Sequence, residues 1–444
     1  MKRIKDLYII IVTAAMIIAC RNDNSAPLNE NEKDILGTTA YEIEKIEDFT
    51  AKEISDIIFQ AVETTGVDAA KIFLSNIAAR EQQLQKELGL QQIELGYRKI
   101  NYLYNSVDQF GNPVTLSSAL YCSSYKAGNE WHNITTDKIC LVEHYTITSD
   151  LECPTKSYPI EPHMLGNAVV VMPDYLGYGS SADKLHPYLN HNIAAINSVD
   201  ALDAAYAICR DYYPGLLSKD WTMSVLGASQ GGSNALAVHK YIETTPTLAD
   251  NWNFTHSNCA AGAYSPVHTF NTYIEWEWLE YPVVIPMVLK SMIASNPDIM
   301  SKWNEEDFYS AKYIKIKPQI DTMLAGKKHT TDEINNIFFN HFSTSQTPGL
   351  VSIKDILSAD ALNKDSEMRK ALFACLKNND LTTGWQPKHP IKLYHSKNDK
   401  VVPYINAQEA TSLSSKNVTL QTVEDAGHVS SCAMWMFSIL LGGN

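Results

Sequence analysis

The chain has 444 residues, a formal net charge of −14 and an apolar share of 45%. That apolar share supplies a buried core and excludes wholesale disorder, while the length admits one large core with an insertion. An acidic balance of this size argues against nucleic acid or an anionic membrane surface as partner.

From the N-terminus, Lys2, Arg3 and Lys5 precede an apolar run, Leu7 to Ala19, that is too short to span a bilayer. The run closes on Ile17-Ile18-Ala19-Cys20, which resembles a bacterial lipobox, where the cysteine is acylated. Residues 1–19 therefore read as a lipoprotein signal peptide and Cys20 as a lipid attachment site. The expectation is an exported chain, anchored to a bacterial membrane through that lipid alone. Residues 20–47, polar from Arg21 to Asp34, read as a flexible tether.

Seven cysteines follow Cys20, an odd number that leaves at least one thiol free. Cys122 and Cys153, near predicted strand ends, are candidates for a disulfide. No spacing points to zinc or an iron–sulfur cluster, so no metal is expected.

Residues 48–97 read as an N-terminal helical appendage. Ile54, Ile57, Ile58 and Ala61 recur at helical spacing, as do Ile72, Phe73, Ile77 and Ala78. A hairpin follows, with strands at Arg98–Tyr104 and Val114–Cys122 around the turn residues of Asp108–Pro113.

Short apolar strands then alternate with helical stretches, which is the pattern of a mostly parallel sheet covered by helices on both faces. The strand candidates are Ile139–Val142, Ala168–Met172, Met223–Leu226, Ala260–Ala263, Ile391–Tyr394 and Val418–Val423. Helices fit Ala194–Tyr212 and Gly232–Tyr241. More than a hundred residues separate the last two strands from the rest, far beyond a simple crossover. An α/β core of residues 98–267 and 387–444, with a helical cap inserted at 268–386, accounts for this.

Gly227-Ala-Ser229-Gln-Gly231 sits between an apolar strand (Val225, Leu226) and a helix-forming run. A serine on such a tight turn needs small neighbours, and the turn projects its hydroxyl at the sheet's C-terminal edge. Serine at neutral pH is a poor nucleophile, so it needs a base, and the base needs an orienting acid. Asp399 lies just past the strand Ile391–Tyr394, and His428 follows Gly427 in the loop after the last strand. Both fall in the chain order Ser, Asp, His that such elbows use. The oxyanion donors would be the backbone N–H of Gln230 and that of Tyr145 or Thr146.

Pro173-Asp-Tyr-Leu-Gly-Tyr-Gly179-Ser, His186-Pro-Tyr188 and Gly227-Ala-Ser-Gln-Gly-Gly232 resemble the secretory-lipase family of α/β-hydrolases, bacterial lipoprotein-type members included. The resemblance spans roughly residues 98–432. It implies a carboxylic ester hydrolase with a helical lid, no metal or organic cofactor, and the triad Ser229, Asp399 and His428. Where the family often has His-Gly-Thr, this chain has His144-Tyr145-Thr146, and the tyrosine is expected to crowd the oxyanion loop.

The leading expectation is an esterase or lipase-like hydrolase of a small-molecule ester, with Tyr178 and cap aromatics shaping the substrate pocket. A serine aminopeptidase or dipeptidyl peptidase on the same scaffold is the alternative, with Glu275, Glu277 and Glu280 available to hold an amine. A catalytically dead hydrolase fold used for binding is the third reading, and the complete set of three residues weighs against it.

Overall fold

The computed structural model describes residues 36–53, 69–90, 92–159, 161 and 165–440. The expected signal peptide, Cys20 and the first part of the tether lie outside these residues, as does the whole segment 54–68 with the helical spacing of Ile54, Ile57, Ile58 and Ala61.

Ten strands form one sheet. Four pair antiparallel at one side: β1 (Tyr41–Thr50), β2 (Glu94–Val107), β3 (Pro113–Ala127) and β4 (Glu130–Asn133). Six run parallel: β5 (Thr136–Glu143), β6 (Val169–Pro173), β7 (Leu217–Ala228), β8 (Phe254–Ala260), β11 (Ile391–Ser396) and β12 (Val418–Val423). In space the order is β1-β2-β3-β6-β5-β7-β8-β11-β12, with β4 on β3. A two-stranded ribbon, β9 (Trp278–Leu279) with β10 (Val351–Ser352), lies in the cap.

β1 corrects two boundaries. Residues 41–47 were expected in a tether and 48–50 in a helical appendage, yet they pair with β2 from Tyr41↔Tyr104 to Thr50↔Gly96. Five charged side chains in ten residues hide the strand signal, because an edge strand buries only one face and keeps charge on the other. Asp48 receives both Nε and Nη2 of Arg98, at 2.8 and 3.1 Å, which fixes the pairing. Upstream, Asp203 accepts the N–H groups of Gly37, Thr38 and Thr39, so the chain is already tied down there. In the appendage, residues 51–53 are helical and α1 (Ala69–Leu88) follows.

The strand expected at Ala260–Ala263 also lies earlier, at Phe254–Ala260. It must end there because Ala261 takes φ 45°, and Gly262 packs so tightly that a Cβ would meet Ser233 N at 2.6 Å.

Helices cover both faces. On one face α2 (His191–Tyr212) and α3 (Gln230–Thr244) bury Ile208, Leu236 and Val238 against Ile139, Leu141, Val171 and Val225. On the other, Trp435 and Ile439 of α10 (His428–Leu440) pack on Val142, Val170 and Met172. Alternate residues of one strand thus serve opposite faces, which is why these strands are apolar throughout.

The cap carries α4 (Pro266–Trp276), α5 (Val284–Ser295), α6 (Lys317–Gly326), α7 (Thr331–Phe342) and α8 (Glu367–Lys377). A helix of seven residues on the core side, α9 (Ile405–Thr411), completes the numbering. The cap has its own core around Leu289, Phe308, Phe338, Ile353 and Leu372, which also takes in Tyr188, Leu189 and Val402 from below. Two latches add to this seat: Asp150 N donates to Lys327 O at 2.8 Å, and Thr148 Oγ1 to His329 O at 2.7 Å.

All seven described cysteines are free. The pairing considered for Cys122 and Cys153 is corrected: Cys122 sits in the core under α2, whereas Cys153 packs with Ile147, Tyr175 and Tyr178 in a separate cluster. Denatured without reductant, the chain should therefore give all seven of these thiols to a thiol-reactive dye, as counted by mass. A count two lower would mean a disulfide.

Candidate active site

β7 runs straight into α3, and Ser229 is the turn between them, with φ 57° and ψ −123°. That backbone is strained for a residue with a side chain, and it holds only because its surroundings leave no room to relax. Ser229 N donates to Ala260 O of the next strand at 2.9 Å. A Cβ on Gly227 would lie 2.1 Å from Gly231 O, and one on Gly231 would lie 2.0 Å from Glu143 O, so both positions require glycine.

Asp399 leaves the end of β11 in a turn whose Val401 and Val402 N–H groups both reach Oδ1, at 2.9 and 2.8 Å. Its Oδ2 accepts Nδ1–H of His428 at 2.7 Å. A carboxylate only accepts, so Nδ1 carries the proton and Nε2 is left to accept the Ser229 hydroxyl at 2.9 Å. Ser229, His428 and Asp399 are thus one chain of hydrogen bonds across three strand ends, and His428 opens α10.

A second histidine touches the same carboxylate. His395 is fully buried, with Nε2 at 2.9 Å from Val402 O and 3.3 Å from Asp399 Oδ2. Burial would raise the Asp399 carboxyl, but hydrogen bonds from His395 and His428 outweigh it and hold it well below the usual range. Asp399 is ionised throughout neutral pH.

The expected oxyanion residues gather beside Ser229. Gln230 is the first residue of α3, where a helix leaves its N–H without an internal partner. Tyr145 and Thr146 line the same cavity, and no described residue accepts their backbone N–H groups. Tyr145 does not crowd the loop: its side chain is half exposed, whereas Thr146 is buried with Oγ1 at 3.0 Å from the Tyr188 hydroxyl.

Tyr178 is corrected. It is absent from the cavity wall and buried, with its hydroxyl donated to Ile147 O at 2.6 Å and its ring 5.0 Å from Lys327 Nζ. Gly177 and Gly179 on either side take φ 94° and 58°, and this turn carries the ring into the interior.

The cavity over Ser229 has a volume of about 820 Å³. Phe270, Tyr273, Val284, Ile285 and Val288 of the cap line one side, and Trp435 and Met436 of α10 another. Glu152, Glu280 and Asp332 also reach its wall. Glu275 and Glu277 do not, and Glu277 is paired with Lys354 at 2.9 Å. Among the described residues no cluster of three or more His, Cys, Asp or Glu is placed to hold a metal. No helix among them is long and apolar enough to cross a membrane.

A parallel sheet with a serine elbow, covered by an inserted helical cap, defines the α/β-hydrolase class. The family model of the secretory lipases matches residues 151–436, and the chain belongs to that family. It is a carboxylic ester hydrolase, and the family's description as secretory points to export. No curated protein matches the sequence. Among solved structures, a mutant of the rice cell wall degrading esterase LipA from Xanthomonas oryzae is similar at 19% identity. That match has a TM-score of 0.66 over 92% of this chain and 97% of that one. A candidate hydrolase from Legionella pneumophila gives 18%, 0.67, 91% and 96%. Lipase A of Candida antarctica in its closed state gives 14%, 0.54, 78% and 78%.

Glu143, at the end of β5, provides a test of this geometry. Burial pushes its carboxyl up to about 7. A folded value above the unfolded one means that the folded chain holds the proton more tightly, so stability falls as pH rises from about 4 through 7. Glu143→Gln should remove that slope, gaining at most on the order of 3 kcal/mol at pH 8, read from denaturant unfolding at pH 5 and pH 8.

Proposed function

We propose that the chain cleaves carboxylic esters through an acyl-enzyme, with Ser229 as nucleophile, His428 as general base and acid, and Asp399 as the orienting acid. The observation that carries this reading is the hydrogen-bonded chain, 2.9 Å from Ser229 Oγ to His428 Nε2 and 2.7 Å from His428 Nδ1 to Asp399, at the floor of a largely apolar cavity.

Ser229 Oγ attacks the ester carbonyl carbon as its proton passes to His428 Nε2. Negative charge collects on the carbonyl oxygen, which the backbone N–H groups of Gln230 and of the Tyr145–Thr146 segment receive. The imidazolium, stabilised by the ionised Asp399, then protonates the departing alcohol. Water repeats the sequence on the acyl-serine, giving up its proton to His428 and releasing the acid. The apolar walls from the cap and α10 suit an acyl chain or an apolar alcohol.

The peptidase alternative keeps one support, the carboxylates of Glu152, Glu280 and Asp332 on the cavity wall. A panel of p-nitrophenyl esters of rising chain length, run beside aminoacyl-p-nitroanilides, separates the two. Turnover is expected on the esters, and preference for the anilides would reverse the assignment. Ser229→Ala should abolish turnover, and His428→Ala should lower kcat by about 10³-fold or more. A loss under tenfold would point to another base.

The reading includes a lipid-anchored location. A signal at residues 1–19 and acylation of Cys20 predict that metabolic labelling with a radioactive fatty acid marks the full chain and is lost in Cys20→Ser. Equal labelling of both would place the lipid elsewhere or remove it from the account.

A further inference from the structure

The Asp174-Tyr-Leu-Gly-Tyr-Gly179 and His186-Pro-Tyr188 runs supply no member of the triad, yet their side chains sit directly behind the oxyanion donors. We propose that Tyr175 is the positioning residue that aligns both halves of the oxyanion hole. This inference rests on the acyl-enzyme reading above.

Tyr175 has φ 69°, a left-handed backbone that a residue with a ring adopts only when its surroundings impose it. Its ring is buried and stacks on His144, with centroids 3.9 Å apart and planes 24° apart. Its hydroxyl donates to His144 O at 3.0 Å. His144 in turn holds Tyr145 O through Nδ1 at 2.7 Å, which sets the peptide just before the Thr146 N–H. One side of the tyrosine therefore fixes the loop that carries the second donor.

The other side reaches the first donor. The His186 ring lies parallel to Tyr175 within 9°, centroids 6.1 Å apart. His186 Nδ1 donates to Leu176 O at 2.8 Å, the carbonyl of the residue after Tyr175. Its Nε2 is thereby left as an acceptor, and the Gln230 side-chain amide donates to it at 2.8 Å. Burial pushes His186 down to about 3 and His144 down to about 4, so both rings stay neutral and keep these roles at working pH. Gln230 is thus gripped by its side chain, it lines the cavity, and no described residue accepts its backbone N–H. The two donor segments also touch directly, since a Cβ on Gly231 would lie 2.8 Å from His144 O.

A tyrosine that only fills space would affect stability and leave the chemistry alone. A tyrosine that aligns donors affects the transition state and leaves substrate binding alone. The test uses Tyr175→Phe in the full chain, which keeps the ring and removes the bond to His144 O. Turnover of p-nitrophenyl butyrate and inhibition by an alkyl trifluoromethyl ketone, which places an oxyanion in the hole after serine addition, are measured together. The expected result is a tenfold or greater loss of kcat with KM within twofold. The ketone's inhibition constant should rise by the factor that kcat/KM falls, with the pH profile unchanged.

A kcat within twofold of wild type overturns the proposal. So does a loss of kcat with unchanged ketone affinity. Should Tyr175→Phe not fold, His186→Phe keeps a ring in the stack and removes the Gln230 anchor. It should show the same paired loss, and unaltered catalysis there overturns the proposal equally. Wild-type turnover in the same assay stands apart: its absence overturns the acyl-enzyme reading, and this inference with it.

Discussion

The structure depends on one strained turn, Ser229 at φ 57° and ψ −123° between β7 and α3. A side chain in that backbone region costs free energy, and the strain is held by close backbone packing from three sides. Ala260 O takes the Ser229 N–H, Glu143 O lies against Gly231, and Gly227 fits beneath Gly231 O. Each of these contacts comes from a different parallel strand. The sheet's order, with β5 and β8 flanking β7, is what makes the turn stable and exposes the hydroxyl.

The same edge supplies everything else. β5 ends on Glu143 and runs into the loop of His144, Tyr145 and Thr146, β11 ends before Asp399, and β12 leads to the loop that delivers His428. Parallel strands place all their C-terminal ends on one side, so residues far apart in sequence meet there by topology alone. The cap lines this edge with apolar side chains such as Phe270, Val284 and Ile285, and a less polar surrounding strengthens charge interactions there. Asp399 illustrates the balance: burial alone would neutralise it, and the two histidine donors keep it charged.

The site was legible where local chemistry is strict. The glycines around Ser229 are required by contacts of about 2 Å, so the pentapeptide signals its own geometry. Asp399 and His428 were found by position after predicted strands, and the structure joins them within hydrogen-bond distance. Tyr178 was misplaced because a tyrosine in a glycine-rich run looks the same whether it turns outward or inward. His395 was passed over because nothing in its neighbours shows that a turn of four residues brings its ring back onto Asp399. β1 was missed because five charges in ten residues read as solvated chain unless the pairing partner is known.

The sequence by itself determined the class of fold, the elbow and the chain order of Ser229, Asp399 and His428, because alternation, glycine placement and strand-end loops are local properties. Tertiary structure alone decided which aromatic rings face the cavity, which thiols stay apart, and where the edge strand begins. It also set the protonation of Glu143 and Asp399. Those depend on desolvation and on partners tens to hundreds of residues away, and no short window of sequence encodes either.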